Sequence, residues 1–76
     1  MEQKILDILV DVCGDDEVIE DKDINLFDSG FLDSLGVIEL LLQIEEVIDL
    51  KIQPTEITRQ DIQTPNKVIE LILKRV

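Results

Sequence analysis

The sequence predicts an all-α fold, a small bundle of three main helices and one short helix with a long loop between the first two. Apolar residues recur at intervals of three and four along three segments, and no two segments form a convincing strand pair. The 76 residues, 45% hydrophobic and 33% charged, have the composition of a folded domain and the length of only one. We therefore expect residues 1–76 to form a single domain.

The first helix is predicted from the spacing of its apolar side chains. Ile5, Ile8, Leu9 and Val12 form one stripe of an amphipathic helix. Gly14 follows directly and is a good residue for the left-handed position after a helix. The helix should therefore end near Cys13, whose side chain lies beside the stripe and is expected to be a small core residue.

A long acidic segment, residues 15–32, separates this helix from the next. It contains too many apolar side chains for a freely solvated loop, so we expect some of them to anchor it across the core. They are Val18, Ile19, Ile24, Leu26, Phe27, Phe31 and Leu32.

The second main helix should begin at Asp33 or Ser34, both common N-cap types, and continue through Ile48. It carries more apolar residues than one buried face requires. Its first stripe consists of Val37, Leu40, Leu41, Ile44 and Ile48, and its second, named here the outer ridge, of Leu35, Ile38 and Leu42. One stripe can pack in the core, and the other must be covered by the long loop or offered to another protein.

Two capping patterns predict the rest of the chain, after an extended exit that ends near Pro54. Thr58 followed by Asp61 resembles a capping box and predicts a short helical turn near 58–62. Thr64 followed by Pro65 predicts the start of the last helix, which should run to the basic residues near 74–75.

Charge and composition exclude several functions. The net charge is −11, and residues 7–49 hold 14 acidic side chains against Lys22 alone, so one side of the molecule should be strongly negative. Such a chain repels nucleic acids and anionic membranes. Without histidine, and with a single cysteine, it cannot form a Cys/His zinc site, an intramolecular disulfide or a histidine-based catalytic triad.

Neither a metal site nor a membrane segment is expected. Asp21, Asp23 and Asn25 alternate as calcium ligands do, but Leu26 and Leu32 occupy positions where an EF-hand loop needs glycine and glutamate. The polar start of the chain lacks the apolar core of a signal peptide. We therefore expect a cytoplasmic protein without direct membrane insertion.

The segment from Asp28 to Gly36 carries the most specific motif, an Asp-Ser-Leu tripeptide centred on Ser34. Capping alone would explain an isolated tripeptide. Here it lies in a short helical chain, after a long acidic loop and before a helix with a surplus apolar face, an arrangement that resembles the acyl carrier protein family. Ser29 also follows an aspartate, but Gly30 behind it predicts a turn and makes it the weaker candidate.

The resemblance implies that Ser34 bears covalent 4′-phosphopantetheine, whose thiol carries an acyl or aminoacyl group as a thioester. The chain would then be a carrier and not an enzyme, since it lacks a histidine to activate the serine. The closer likeness is to the D-alanyl carrier branch of Gram-positive bacteria, carried by the segments 27–36, 54–56 and 64–67 and by Arg59. It implies a D-alanyl thioester used for teichoic acid D-alanylation and three partners: a phosphopantetheinyl transferase, a D-alanine-activating ligase and a membrane-bound O-acyltransferase.

The outer ridge and the acidic residues around it predict a docking surface for these partners. The candidate partner-binding residues are Asp33, Leu35, Ile38, Glu39, Leu42 and Glu45. Two alternatives remain open at this point. One is a fatty-acyl or peptidyl carrier, and the other is an acidic helical interaction module without a prosthetic group, in which Ser34 only caps its helix.

Overall fold

The computed structural model describes all residues, 1–76, and confirms the all-α fold. Four α-helices are present: α1 (Glu2–Cys13), α2 (Glu17–Glu20), α3 (Ser34–Ile48) and α4 (Pro65–Leu73). Two 3₁₀ turns, Pro54–Glu56 and Arg59–Ile62, lie between α3 and α4. None of the helices combines the length and the apolar composition that a membrane span requires.

The core is built from side chains of every segment except the Pro54–Glu56 turn. Helix α1 ends as predicted, because Gly14 adopts the left-handed conformation at φ 72° and its N–H donates to the Val10 carbonyl at 2.7 Å. Helix α1 packs mainly against α3 and also contacts α2 and α4, while α4 packs against the Arg59–Ile62 turn. The buried apolar residues are Ile5, Leu6, Ile8, Leu9, Val18, Leu26, Leu32, Leu40, Leu41, Ile44, Ile52, Ile62, Val68, Ile69 and Ile72.

The long connection is anchored as expected, but it is not loop throughout. Val18, Leu26 and Leu32 are buried, whereas Ile19 is exposed and does not anchor the segment. The single turn α2 was not predicted from the sequence. The Glu17 N–H donates to Asp15 Oδ1 at 2.9 Å, and the turn buries only Val18, too little for an apolar periodicity to be visible.

Hydrogen bonds tie this connection to the N-terminus of α4. The Leu26 N–H donates to the Gln63 carbonyl at 2.8 Å, and the Asn66 N–H donates to the Lys22 carbonyl at 3.0 Å. The Asn66 side-chain amide also donates to Asp23 Oδ1 at 2.8 Å. These contacts fix the middle of the connection, residues 22–26, relative to the second 3₁₀ turn and the start of α4.

The 3₁₀ turns show why the region before α4 is compact. The predicted turn near 58–62 is confirmed as Arg59–Ile62, with the Thr58 N–H donating to Asp61 Oδ2 at 2.8 Å. The exit from α3, predicted as extended, contains the additional turn Pro54–Glu56, in which the Gln53 N–H donates to Glu56 Oε2 at 2.6 Å. At α4, Thr64 Oγ1 accepts from the Lys67 N–H at 3.1 Å, as the capping pattern predicts.

Candidate functional site

Ser34 is the first residue of α3 and does not cap it. The cap is Asp33, whose Oδ1 accepts from the Gly36 N–H at 2.8 Å, and Ser34 Oγ has no hydrogen-bond partner. The N–H groups of Ser34 and Leu35 are likewise unpaired. An exposed hydroxyl therefore stands at the positive end of a 15-residue helix beside two free donors, which favours a negatively charged group attached there.

Gly36 allows a close approach at this helix start. A Cβ atom there would lie 3.0 Å from Leu32 Cδ1 and 3.4 Å from Asp33 Oδ1. The buried Leu32 side chain thus packs directly against the first turn of α3, which carries Ser34. The sequence showed the glycine but not the contact that requires it.

Ser29 lies in a turn, as predicted, and is the weaker candidate. Its Oγ donates to the Leu26 carbonyl at 3.3 Å, and Gly30 next to it adopts φ 84°. The turn is fixed by Asn25, whose Oδ1 accepts from the Phe27 and Asp28 N–H groups, both at 3.0 Å. Ser29 therefore has neither a free hydroxyl nor a helix N-terminus behind it.

A groove of about 560 Å³ opens beside Ser34, between the start of α3 and the 3₁₀ turns; we call it the Ser34 groove. Phe27, Val37 and Ile57 supply apolar walls, and Arg59 lies across the Phe27 ring with its guanidinium carbon 4.2 Å from the ring centroid. The sequence did not predict this groove. Arg59 was noted only through the resemblance, because its neighbour in space, Phe27, is 32 positions away in the chain.

The outer ridge is exposed, as expected for a stripe that is offered to another protein. Leu35, Ile38 and Leu42 are 77%, 45% and 53% exposed, whereas Leu40, Leu41 and Ile44 of the same helix are buried. The long connection thus does not cover the ridge. The acidic residues assigned to the docking surface, Asp33, Glu39 and Glu45, are also exposed.

No group of three or more metal-ligating side chains is close enough to hold an ion. The acidic connection instead uses its oxygens within the chain. Asp21 Oδ1 accepts from the Asp23 N–H at 3.1 Å, and Asp23 Oδ1 accepts from the Asn66 amide.

Cys13 is a free, half-buried thiol at the end of α1. Burial raises the pKa of this thiol from 9.0 to about 11, because the thiolate would lose solvation. The side chain therefore remains a protonated, weakly reactive thiol at neutral pH, in agreement with the core role expected from its position.

The comparisons with known proteins agree with this geometry. A family model described as the phosphopantetheine attachment site matches residues 3–72. The chain belongs to this carrier family. Its prosthetic group is therefore 4′-phosphopantetheine, and the residues at the start of α3 fit that group, since they offer an unengaged surface hydroxyl beside free N–H donors.

Curated relatives refine the likeness within the carrier family. The D-alanyl carrier protein of Abiotrophia defectiva is 47% identical over 76 residues, covering 100% of this chain and 96% of that protein. The D-alanyl carrier protein of Bacillus subtilis (strain 168) is 46% identical over 67 residues, covering 88% and 86%. That of Latilactobacillus sakei is 36% identical over 69 residues, covering 91% and 88%. The resemblance inferred from the motifs is thereby confirmed.

Proposed function

We propose that Ser34 carries the phosphopantetheine and that this single carrier domain presents a D-alanyl thioester for teichoic acid D-alanylation. The observation that carries the assignment is the division of roles at the start of α3, where Asp33 caps the helix and leaves Ser34 Oγ without a partner. In the alternative without a prosthetic group, Ser34 would be the cap. The D-alanyl cargo is supported by the names of the curated relatives.

The chain itself binds and orients but does not catalyse. When bound, the prosthetic group supplies a thiol on a long flexible arm, and that thiol holds the cargo. No side chain is hydrogen-bonded to Ser34 Oγ, so a base that removes its proton during modification must come from the transferase. The free N–H groups of Ser34 and Leu35 favour the negative charge that the attached phosphate introduces.

The partners proposed are a phosphopantetheinyl transferase, a D-alanine-activating ligase and a membrane-bound O-acyltransferase. All three must reach Ser34, and the outer ridge begins at the next residue, Leu35. Exposed acidic side chains at Asp33, Glu39 and Glu45 would steer basic partner surfaces towards the ridge. We place this exchange in the cytoplasm, with neither nucleic-acid binding nor membrane insertion by the carrier.

Mass spectrometry with a matched pair of serine variants tests the attachment site. Incubation with a phosphopantetheinyl transferase and coenzyme A should add one phosphopantetheine to the wild type and to Ser29→Ala, and none to Ser34→Ala. Peptide mapping should locate the group on Ser34. Modification of Ser34→Ala at the wild-type level, or of Ser29, would contradict the assignment, and an unmodified wild type would favour the interaction module.

Thioester loading tests the cargo separately. Holo protein should be charged by a D-alanine ligase and only poorly by a malonyl transferase of fatty-acid synthesis. The reverse preference would show a fatty-acyl carrier and would leave the attachment site unaffected, whereas loading by a peptide-synthesis adenylating enzyme alone would indicate a peptidyl carrier.

A further inference from the structure

Arg59 is a cation without an anionic partner in a strongly acidic protein. The chain has 18 acidic residues, yet the one ion pair in the structure joins Lys22 Nζ to Glu2 Oε1 at 3.4 Å. The Arg59 guanidinium makes no hydrogen bond and lies over the Phe27 ring, 4.2 Å from its centroid. A guanidinium held by its flat face on an aromatic ring keeps its N–H edges free to donate to a carboxylate or a phosphate.

The position of Arg59 shows which acceptor it would meet. Arg59 and Ser34 line the same groove, together with the carboxylate of Asp33. A phosphodiester on Ser34 would place a second negative charge beside Asp33, and Arg59 is the basic residue of the groove that can offset it. Lys22, the one basic residue between α1 and α3, is engaged with Glu2.

We propose that Arg59 is a positioning residue that pairs with the phosphodiester on Ser34 and holds the base of the prosthetic arm at the mouth of the Ser34 groove. The inference rests on the attachment at Ser34 proposed above. The Phe27 ring orients the Arg59 guanidinium, and the negative charge of the phosphate attracts it. The contact orients the arm along the apolar walls of Val37 and Ile57 until a partner protein withdraws it.

The chain contains only two arginines, Arg59 and Arg75, so the side-chain Nε–H signals in a ¹H–¹⁵N spectrum can be assigned with one variant each. Conversion of apo to holo protein should shift the Arg59 signal and leave that of Arg75, at the end of the chain, in place. In ³¹P spectra of holo protein, Arg59→Gln should shift the phosphodiester resonance, whereas Arg75→Gln should not. The difference in the phosphodiester resonance between the wild type and Arg59→Gln should shrink from about 0.01 M to about 1 M salt, because the Debye length falls from about 30 Å to about 3 Å.

Two further variants separate the contact from a merely structural effect. Arg59→Lys should shift the phosphodiester resonance less than Arg59→Gln does, because the charge remains while the fork of donors is lost. Phe27→Leu should reduce the change in the Arg59 signal upon modification. A change as large as in the wild type would show that the ring does not aim the guanidinium.

The outcomes also distinguish this inference from the attachment itself. If peptide mapping shows complete modification of Ser34 and the Arg59 signal is the same in apo and holo protein, the pairing is wrong and the attachment stands. If Ser34 is not modified, both are wrong.

Discussion

Two neighbouring leucines of α3 offer the sharpest test of which face of this helix serves partners. Leu41 is 6% exposed and packs in the core, whereas Leu42 is 53% exposed on the outer ridge. Leu41→Ala should cost about 2 to 5 kcal/mol of unfolding free energy through lost burial and a residual cavity. For a domain of this size, about 1 kcal/mol corresponds to about 4–8 °C in Tm, so the Tm should fall by about 8 °C or more.

Leu42→Ala should affect stability far less and loading far more. Full burial of a leucine side chain is worth about 1.5–3 kcal/mol, and about half of this side chain already contacts water, so the loss should be about 1 kcal/mol or less. If the ridge is the centre of a docking surface, truncation should lower kcat/KM for D-alanine loading about tenfold, equivalent to about 1.4 kcal/mol. Ile38→Ala should behave in the same way.

The matched control is Val47→Ala, since Val47 lies on the same helix at 49% exposure but on the side opposite the ridge. The Val47→Ala variant should be loaded with D-alanine at the wild-type rate. Loading of both proteins, whose ridge is intact, should weaken as salt rises. Docking through the ridge is refuted if Ile38→Ala and Leu42→Ala load normally. If they destabilise as much as Leu41→Ala does, these side chains belong to the core.

Four further predictions follow from the helix ends and the Cys13 thiol. Asp33→Ala should cost about 1 kcal/mol in chemical denaturation, whereas Ser34→Ala should cost much less, because only Asp33 accepts a cap hydrogen bond; equal losses would assign capping to both residues. At pH 8, iodoacetamide should alkylate apo protein slowly, because burial raises the pKa of the Cys13 thiol to about 11. Holo protein should react at one fast site, the thiol of the prosthetic group. For the same reason Cys13 should stabilise the fold below pH 9.0 and lose this contribution as the pH rises to about 11, since the unfolded thiol ionises first; Cys13→Ala should flatten that decline in denaturant midpoints. Asp49→Asn should stabilise the protein by about 0.3–1 kcal/mol, because Asp49 places a negative charge and a φ of 61° at the C-terminus of α3; Asp28→Asn, which removes a charge in a turn, is the control that should show less effect.

The elements predictable from sequence are those whose ends carry a local signal. The start of α3 is predicted by the two N-cap types Asp33 and Ser34 and by the apolar periodicity behind them. The start of α4 is predicted by Thr64 and Pro65, because a cap and its helix are adjacent in the chain. The outer ridge was predictable for a similar reason. Two apolar stripes on one helix cannot both enter a single small core, so at least one stripe needed another cover.

The elements that escaped prediction depend on contacts between distant residues. Helix α2 is one turn held by Val18 alone in the core, and the Pro54–Glu56 turn depends on a single side-chain hydrogen bond to Gln53. The Ser34 groove requires Phe27 and Arg59 to meet across 32 positions of sequence, through the hydrogen bonds that tie the connection to α4. Neither residue belongs to a periodic or capping pattern from which this contact could be predicted.

The placement of Ser34 on α3 explains how one residue can serve both surfaces. With 3.6 residues per turn, Ser34 lies on the helix between Ile38, on the outer ridge, and Leu41, on the buried side, and Val37 beyond Leu41 lines the groove. In the proposed arrangement, a partner that covers the ridge reaches the base of the prosthetic arm from one side while Arg59 and the groove hold it from the other. The pairing with Arg59 is electrostatic and exposed to solvent, so it is weak enough for a partner with its own phosphate-binding residues to replace it. A carrier needs this exchange, because an arm held too firmly in the groove could not be loaded or unloaded.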